Sequence, residues 1–410
     1  MSFCIYLIFI VSFFLHLPER IPILGSIRFD LVLIITTAAS LFMFKDSHRR
    51  GVLDKAGVIL LALMIYIVLS LPFVQWPGSV INYGFENYFK VIIFYFFTVM
   101  IVTDERKLRV FLLVFVACQV FRVLEPLYLH LTIGYWGDNT FLGDGEMMNR
   151  LAGSQYDVIN PNGLAYVAVT AISFLYYLCQ SVPNMLKLVG YSLLPVIAYA
   201  LVLTSSRSGM LALAGVAVAM VTASKRKIVL FGVITILAII AYQSLGQVQQ
   251  ERYLSIYRDD VRGASTAQGR IDGIYRDFEV AMNRPLFGHG LGTSLEANYN
   301  IGRSVFRSHN LFMEVWQEIG LVGLFIFFFL ILTGIRNYFT ALKNIKLSGN
   351  SQMLSLARGI GAWLVLNLIY CIFSYGLSTY SWYLFVGLSV VLLRLSVDHG
   401  TETRKGAVPA

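Results

Sequence analysis

Charge is what this chain of 410 residues has least of. Asp, Glu, Lys and Arg make up 13% of it, against 57% hydrophobic residues and a mean hydropathy of +0.69. An ordinary soluble domain, about a quarter charged, is excluded. Cysteine is scarce too: Cys4, Cys118, Cys179 and Cys371 all fall inside apolar runs, with neither paired spacing nor a metal pattern. That excludes a disulfide framework or a zinc module and reads as small packing residues. Residues 2–17 lack the basic start and small-residue cleavage site of a signal peptide, so they read as a retained span. No internal repeat relates the two halves.

What the chain has instead is apolar runs near the length a helix needs to cross a bilayer, about 17–25 residues. Twelve recur, at 2–17, 30–44, 57–75, 88–103, 109–128, 163–181, 187–203, 209–223, 228–245, 317–335, 359–377 and 381–397; the second and eighth are short. The net charge of +9 gathers in alternate loops, around Lys45–Lys55, Arg106–Arg109, Lys187, Lys225–Lys227, Arg336–Arg358 and Arg394–Lys405. Short loops rich in Lys and Arg mark the cytoplasmic side. Both termini are therefore expected there, which requires an even number of spans. The expected fold is an all-α integral membrane protein of about twelve transmembrane helices: five in 1–128, four in 163–245 and three in 317–397, with a cytoplasmic tail at 398–410. The loops 129–162 and 246–316 are expected on the far side.

That topology sorts the polar residues. The 129–162 loop ends in VINPNG, 204–208 is the tight turn TSSRS, and the 246–316 loop closes on a histidine segment. Within that loop, RIDGIYRDFEVAM places Ile271, Ile274, Phe278 and Met282 at helical spacing, which predicts an amphipathic helix near the membrane face. RPLFGHGLGT follows as a turn-rich stretch. Residues 246–308 carry eight arginines, no lysine and seven carboxylates, so most of these arginines read as partners in ordinary surface ion pairs, Arg252 and Arg303 among them.

Two residues stand apart. Arg207 reads either as a snorkelling arginine or as part of an anion site, with the hydroxyls of Ser206 and Ser208 and the open N–H groups of a helix start. His309 reads either as a helix cap or as a general base. In the second reading the helix dipole and Arg307 disfavour imidazolium and leave a neutral ring near pH 7. Glu314 and Glu318 share its helix face only in part and read as orienting or structural residues.

Taken together, NPNGLA (160–165), TSSRSG, GRIDGIYRDFEVAMNRPLFGHGLGT and SHNLFMEVWQEIGLVG resemble the O-antigen ligase and O-antigen polymerase superfamily of bacterial inner membranes. The motifs span roughly 155–335. The resemblance implies a metal-independent glycosyltransferase of the membrane-embedded C type, without a cofactor. It implies an undecaprenyl diphosphate-linked glycan as donor, used on the periplasmic side of the inner membrane. Arg207 and Arg270 are implied to hold the diphosphate and His309 to be the base. Ser206, Ser208, Asn162 and Asn310 complete the expected substrate-binding set. One-step attack would invert the anomeric centre. A catalytic metal is the weaker alternative, since Asp144/Glu146 and Asp259/Asp260 lack further ligands at suitable spacing. The bilayer is an expected partner and nucleic acid is not.

The acceptor stays open. A ligase passes the glycan to lipid A–core, a polymerase to a second lipid-linked repeat, and a protein O-oligosaccharyltransferase to a protein hydroxyl. The long loop followed by the histidine segment favours the ligase. A lipid or glycan transporter has a similar span count, but transporters usually show repeats and ionisable residues deep in their spans. Here the main exceptions are Arg122 and Glu125.

Overall fold

The computed structural model describes residues 1–43, 54–143, 146–224, 226–243, 246–254 and 265–405. Each of the twelve apolar runs falls on a helix, the form in which a segment in lipid satisfies its own backbone. Among the described residues, seven helices are long and apolar enough to cross a membrane: Pro77–Ile101, Glu105–Ile133, Pro161–Ser181, Asn184–Leu203, Leu311–Ser348, Ser351–Phe373 and Tyr380–Val397. Four more apolar helices, Ser2–Leu15, Phe29–Leu41, Lys55–Ser70 and Arg207–Ala223, are shorter. The protein is a mostly helical, multi-pass membrane protein. The loop expected at 129–162 is not irregular throughout. It holds a β-hairpin in which Gly137–Gly143 pairs antiparallel with Glu146–Leu151.

The chain divides into two compact units. The first holds Met1–Asp46, Arg106–Ala267 and Arg358–Ile369; the second holds Ser47–Glu105, Gln268–Ala357 and Tyr370–Ala410.

The first unit has an aromatic core. Phe115 meets Phe14 edge-on at 5.2 Å, Phe174 at 5.7 Å and Trp363 at 5.7 Å, and all four are buried. The ionisable residues inside the fifth apolar run are committed to partners. Arg122 donates Nε and Nη2 to Asp157 at 2.6 and 3.0 Å. Glu125 pairs with Arg20 at 2.5 Å and accepts from the Ser154 hydroxyl at 2.6 Å. His16 Nε2 lies 3.2 Å from the same Asp157. Asp157 is 1% exposed. Burial alone would raise its pKa, but the hydrogen bonds from His16 and Arg122 outweigh it and hold the carboxyl at about 2.

In the second unit the Leu311–Ser348 helix packs most extensively against Tyr380–Lys405, which also packs on Phe85–Ile101. Tyr88, Phe94, Tyr95, Phe327, Tyr383 and Phe385 fill the interior. The long helix breaks at Gly320, whose φ of 68° and ψ of −178° suit glycine alone. A Cβ there would lie 2.1 Å from the Leu286 carbonyl oxygen. A broken helix releases backbone groups that need partners. The 285–290 stretch supplies three: the N–H groups of His289 and Gly290 reach the carbonyls of Gln317 and Glu318 at 2.7 and 2.9 Å, and Leu321 N–H reaches the Pro285 carbonyl at 2.8 Å. The Tyr66 hydroxyl takes the Ile319 carbonyl at 2.8 Å. The turn-rich RPLFGHGLGT stretch thus seats a kinked helix.

Candidate active site

The expected site residues fall into two groups, one in each unit. In the first unit, the Asn184–Leu203 helix ends and the Arg207–Ala223 helix begins across Thr204, Ser205 and Ser206. Ser206 is the N-cap, its Oγ accepting the Gly209 N–H at 3.2 Å. The same hydroxyl donates to Asn162 Oδ1 at 2.8 Å, and Ser208 Oγ lies 3.2 Å from it. Asn162 sits in the first turn of Pro161–Leu178, a helix started by Pro161 and capped by Asn160. NPNGLA and TSSRSG therefore meet side chain to side chain. Arg207, the first residue of its helix, is only 9% exposed. A snorkelling arginine keeps its head in water, so that reading does not describe Arg207.

Two arginines outside the expected set clamp this turn. Arg150, on the second strand, is 5% exposed and donates to the Thr204 carbonyl at 2.8 Å and to Asn162 Oδ1 at 3.2 Å. Arg252, on the Gln247–Leu254 helix, donates Nε to the Ser205 carbonyl at 3.0 Å. The expectation of a surface ion pair for Arg252 is corrected: it is 7% exposed and bonded to a buried turn. Ser205 has a φ of 49°, a left-handed conformation costly for serine. Guanidinium groups on two consecutive carbonyls hold it there. Arg303, by contrast, is exposed.

In the second unit, His309 stands one residue outside the Leu311–Ser348 helix. The cap is Asn310 and not His309: Asn310 Oδ1 accepts the N–H groups of Phe312 and Met313 at 3.0 and 3.2 Å. A short carboxamide reaches those donors where an imidazole would not. His309 is accessible to solvent although protein crowds it on most sides. That crowding lowers its pKa, and so do Arg270 and Arg276, against the opposing effect of Asp277. The sequence pointed to Arg307 as the neighbouring charge, but that guanidinium lies over the Tyr375 ring at 5.7 Å. Arg270, half-buried on Ser265–Asn283, lies over the Phe373 ring at 6.0 Å, and burial lowers its pKa. Arg270 and His309 lie in the same unit, and the Arg270 charge acts on the imidazole.

The Ser265–Asn283 helix is amphipathic as its spacing predicts. Ile271, Tyr275, Phe278 and Met282 are exposed, while Asp277, Val280 and Ala281 face inward. Glu314 and Glu318 are buried clasps. Glu314 accepts the N–H groups of Gly376 and Leu377 at 2.6 and 3.0 Å, and Glu318 those of Gly292 and Ser294 at 2.7 and 3.3 Å. The second histidine of the loop, His289, has both ring nitrogens engaged, with Gln75 Oε1 at 2.6 Å and the Val280 carbonyl at 2.9 Å. It is a structural residue. Among the described residues no three of His, Cys, Asp or Glu stand together as a metal set. Asp144, Asp259 and Asp260 lie outside the described residues.

A comparison with curated proteins gave no match. Residues 191–328, which include TSSRSG, the arginine-rich loop and the histidine segment, match the family model described as O-antigen ligase. That match supports the O-antigen ligase-related superfamily for this chain, with an enzyme activity of the ligase and polymerase kind.

Proposed function

We propose that the protein transfers a glycan from undecaprenyl diphosphate to an acceptor hydroxyl on the periplasmic side of a bacterial inner membrane, with lipid A–core as the acceptor. The observation that carries this reading is the pairing of an accessible imidazole, its pKa lowered, with the half-buried guanidinium of Arg270, inside the stretch that matches O-antigen ligase. An acceptor hydroxyl loses a proton as it attacks the anomeric carbon, and neutral His309 is the base that takes it. The lipid diphosphate leaves as an anion and needs no acid. It needs its growing charge stabilised, which is the role of Arg270 and Arg207. Ser206, Ser208 and Asn162 order the surroundings of Arg207, with Arg150 and Arg252 behind them. Asn310 fixes the helix start behind His309. Attack in one step inverts the anomeric centre, and no step is assigned to a metal or cofactor.

The acceptor is chosen on the family description, which is that of a ligase. A polymerase would use the same groups on a second lipid-linked repeat. Arg122 and Glu125, the residues that suggested transport, are spent on Asp157 and Arg20. Deleting the gene and resolving surface glycan on gels tests the proposal. Loss of polymer from lipid A–core, with lipid-linked polymer accumulating, is the expected result. A single repeat on lipid A–core would assign a polymerase, and an unchanged pattern would refute both.

A further inference from the structure

We propose that Asp277 is a positioning residue for His309: its carboxylate ties down the start of the 306–310 segment through Asn298 and sets the electrostatic field at the imidazole. The inference rests on His309 being the base. Asp277 is 2% exposed, on the inner face of Ser265–Asn283. Asn298 Nδ2 donates to Asp277 Oδ1 at 3.0 Å and to the Phe306 carbonyl at 3.1 Å. Gln317 Nε2 reaches the same Oδ1 at 3.3 Å, the Asp277 main-chain carbonyl at 3.0 Å and Asn298 Oδ1 at 3.1 Å. Ser308, fully buried and adjacent to the histidine, donates its hydroxyl to the Asn310 carbonyl at 3.1 Å and accepts the Asn310 N–H at 3.3 Å, which holds the turn around His309.

The chemistry of this knot fixes the state of Asp277. Gln317 Nε2 faces three oxygens, so its amide has one workable orientation. Asn298 and Gln317 both donate. A carboxyl among donors is an acceptor, and these bonds favour its charged form although burial pushes its pKa up. The charges acting on the imidazole are Arg270, Arg276 and Asp277. Others in the same unit are turned elsewhere: Arg307 to Tyr375, Glu314 to Gly376 and Leu377, and Tyr370 towards Arg270. Asp277 is thus the carboxylate that offsets two arginines at the base and keeps it basic enough to take a proton.

The test uses the full-length protein, with undecaprenyl diphosphate-linked glycan and lipid A–core extracted from the deletion strain. Turnover is measured against pH for wild type, Asp277→Asn, Asn298→Ala and His309→Ala. Asp277→Asn keeps the shape and removes the charge. Its plateau should fall about threefold or more as the base weakens, and its acidic limb should move to lower pH. Asn298→Ala keeps the Asp277 carboxylate and cuts its link to the Phe306 carbonyl, so its plateau should fall with the limb unmoved. If His309→Ala retains the acidic limb, the base reading fails and takes this inference with it. If His309→Ala loses the limb while Asp277→Asn matches wild type, the base stands and the role of Asp277 is overturned. A lower plateau with an unmoved limb in Asp277→Asn would reduce Asp277 to structure and also overturn it. Should Asp277→Asn not fold, wild-type turnover in Asn298→Ala decides against the proposal.

Discussion

Gly320→Ala is the sharpest test of how the histidine segment is held. The added Cβ would lie 2.1 Å from the Leu286 oxygen, 2.3 Å from its carbonyl carbon and 2.6 Å from the Phe287 nitrogen. All three are backbone atoms, so no side chain can swing away. Alanine also carries a conformational cost at this φ and ψ of about 1–3 kcal/mol. Relief requires the 285–290 stretch to move off the kink, which breaks the bonds of Gln317, Glu318 and Leu321 to that stretch. Each is worth about 0.5–1.5 kcal/mol net. The substitution should therefore cost at least about 3 kcal/mol and lower Tm by roughly 3–4 °C or more. Unfolding in detergent can be followed by tryptophan emission. Trp316 is a suitable reporter, since its Nε1 donates to the Pro285 carbonyl at 3.1 Å and its ring meets Phe278 edge-on at 5.4 Å. Gly349→Ala is the control: its φ is 71° but nothing lies within 4 Å of the added Cβ, so only conformational strain of about 1 kcal/mol applies. Equal melting of the two variants would refute the steric account of the kink.

Four further outcomes are expected. His309 works as a base only when neutral, and its pKa is lowered, so turnover should hold its plateau as pH falls through about 6.5, the ordinary imidazole value, and decline only below it; a limb above that value in a pH–rate profile removes His309 as the base. Arg207→Lys keeps a charge but loses the planar fork, and transfer should drop by about tenfold or more in a donor-saturated assay; near-normal transfer would reduce Arg207 to a point charge. Arg252→Ala strips the Ser205 carbonyl of its buried donor and should cost about 1–3 kcal/mol with loss of transfer, while exposed Arg303→Ala should stay within about 0.5 kcal/mol of wild type; equal melting curves would deny the clamp. Asp157→Ala takes the carboxylate away from buried Arg122, which keeps its bond to Gln119 Oε1 at 3.2 Å, and should destabilise by about 3 kcal/mol at neutral pH. Because the folded pKa of Asp157 is depressed, its contribution is complete above about pH 4 and is lost as pH falls through about 2, so the variant and wild type should converge in melting temperature only in strong acid.

What was legible in the sequence is what depends on near neighbours. Apolar runs declare helices whatever they pack against, and the polar residues at helix starts lie within three residues of the N–H groups they satisfy: Asn160 to Gly163, Ser206 to Gly209, Asn310 to Met313. The order of TSSRSG, the arginine-rich loop and the histidine segment lies along the chain and could be compared as such. Length was harder to judge at the 57–75 run, whose helix stops at Ser70 although LPFV continues apolar. The Gly320 break was hidden for the same reason: EIGLVGLF stays apolar across a kink whose backbone partners lie some thirty residues earlier.

The illegible residues are those whose meaning comes from far away in the chain. Arg122 and Glu125 looked like unpaired charges because Asp157 and Arg20 stand 35 and 105 positions off. Asp277 was one of seven carboxylates in an arginine-rich loop until Asn298 and Gln317, 21 and 40 positions on, closed around it. Composition gives all eight arginines of that loop the same expectation, yet burial separates Arg252 from Arg303 and assigns them opposite consequences on truncation. A scan restricted to that loop would also pass over Arg150, which lies on a hairpin strand and holds Thr204 and Asn162 at once. The turn that presents Arg207 is therefore fixed from two directions, by a strand that precedes it and a helix that follows it, and neither clamp can be replaced by the other because each caps a different carbonyl.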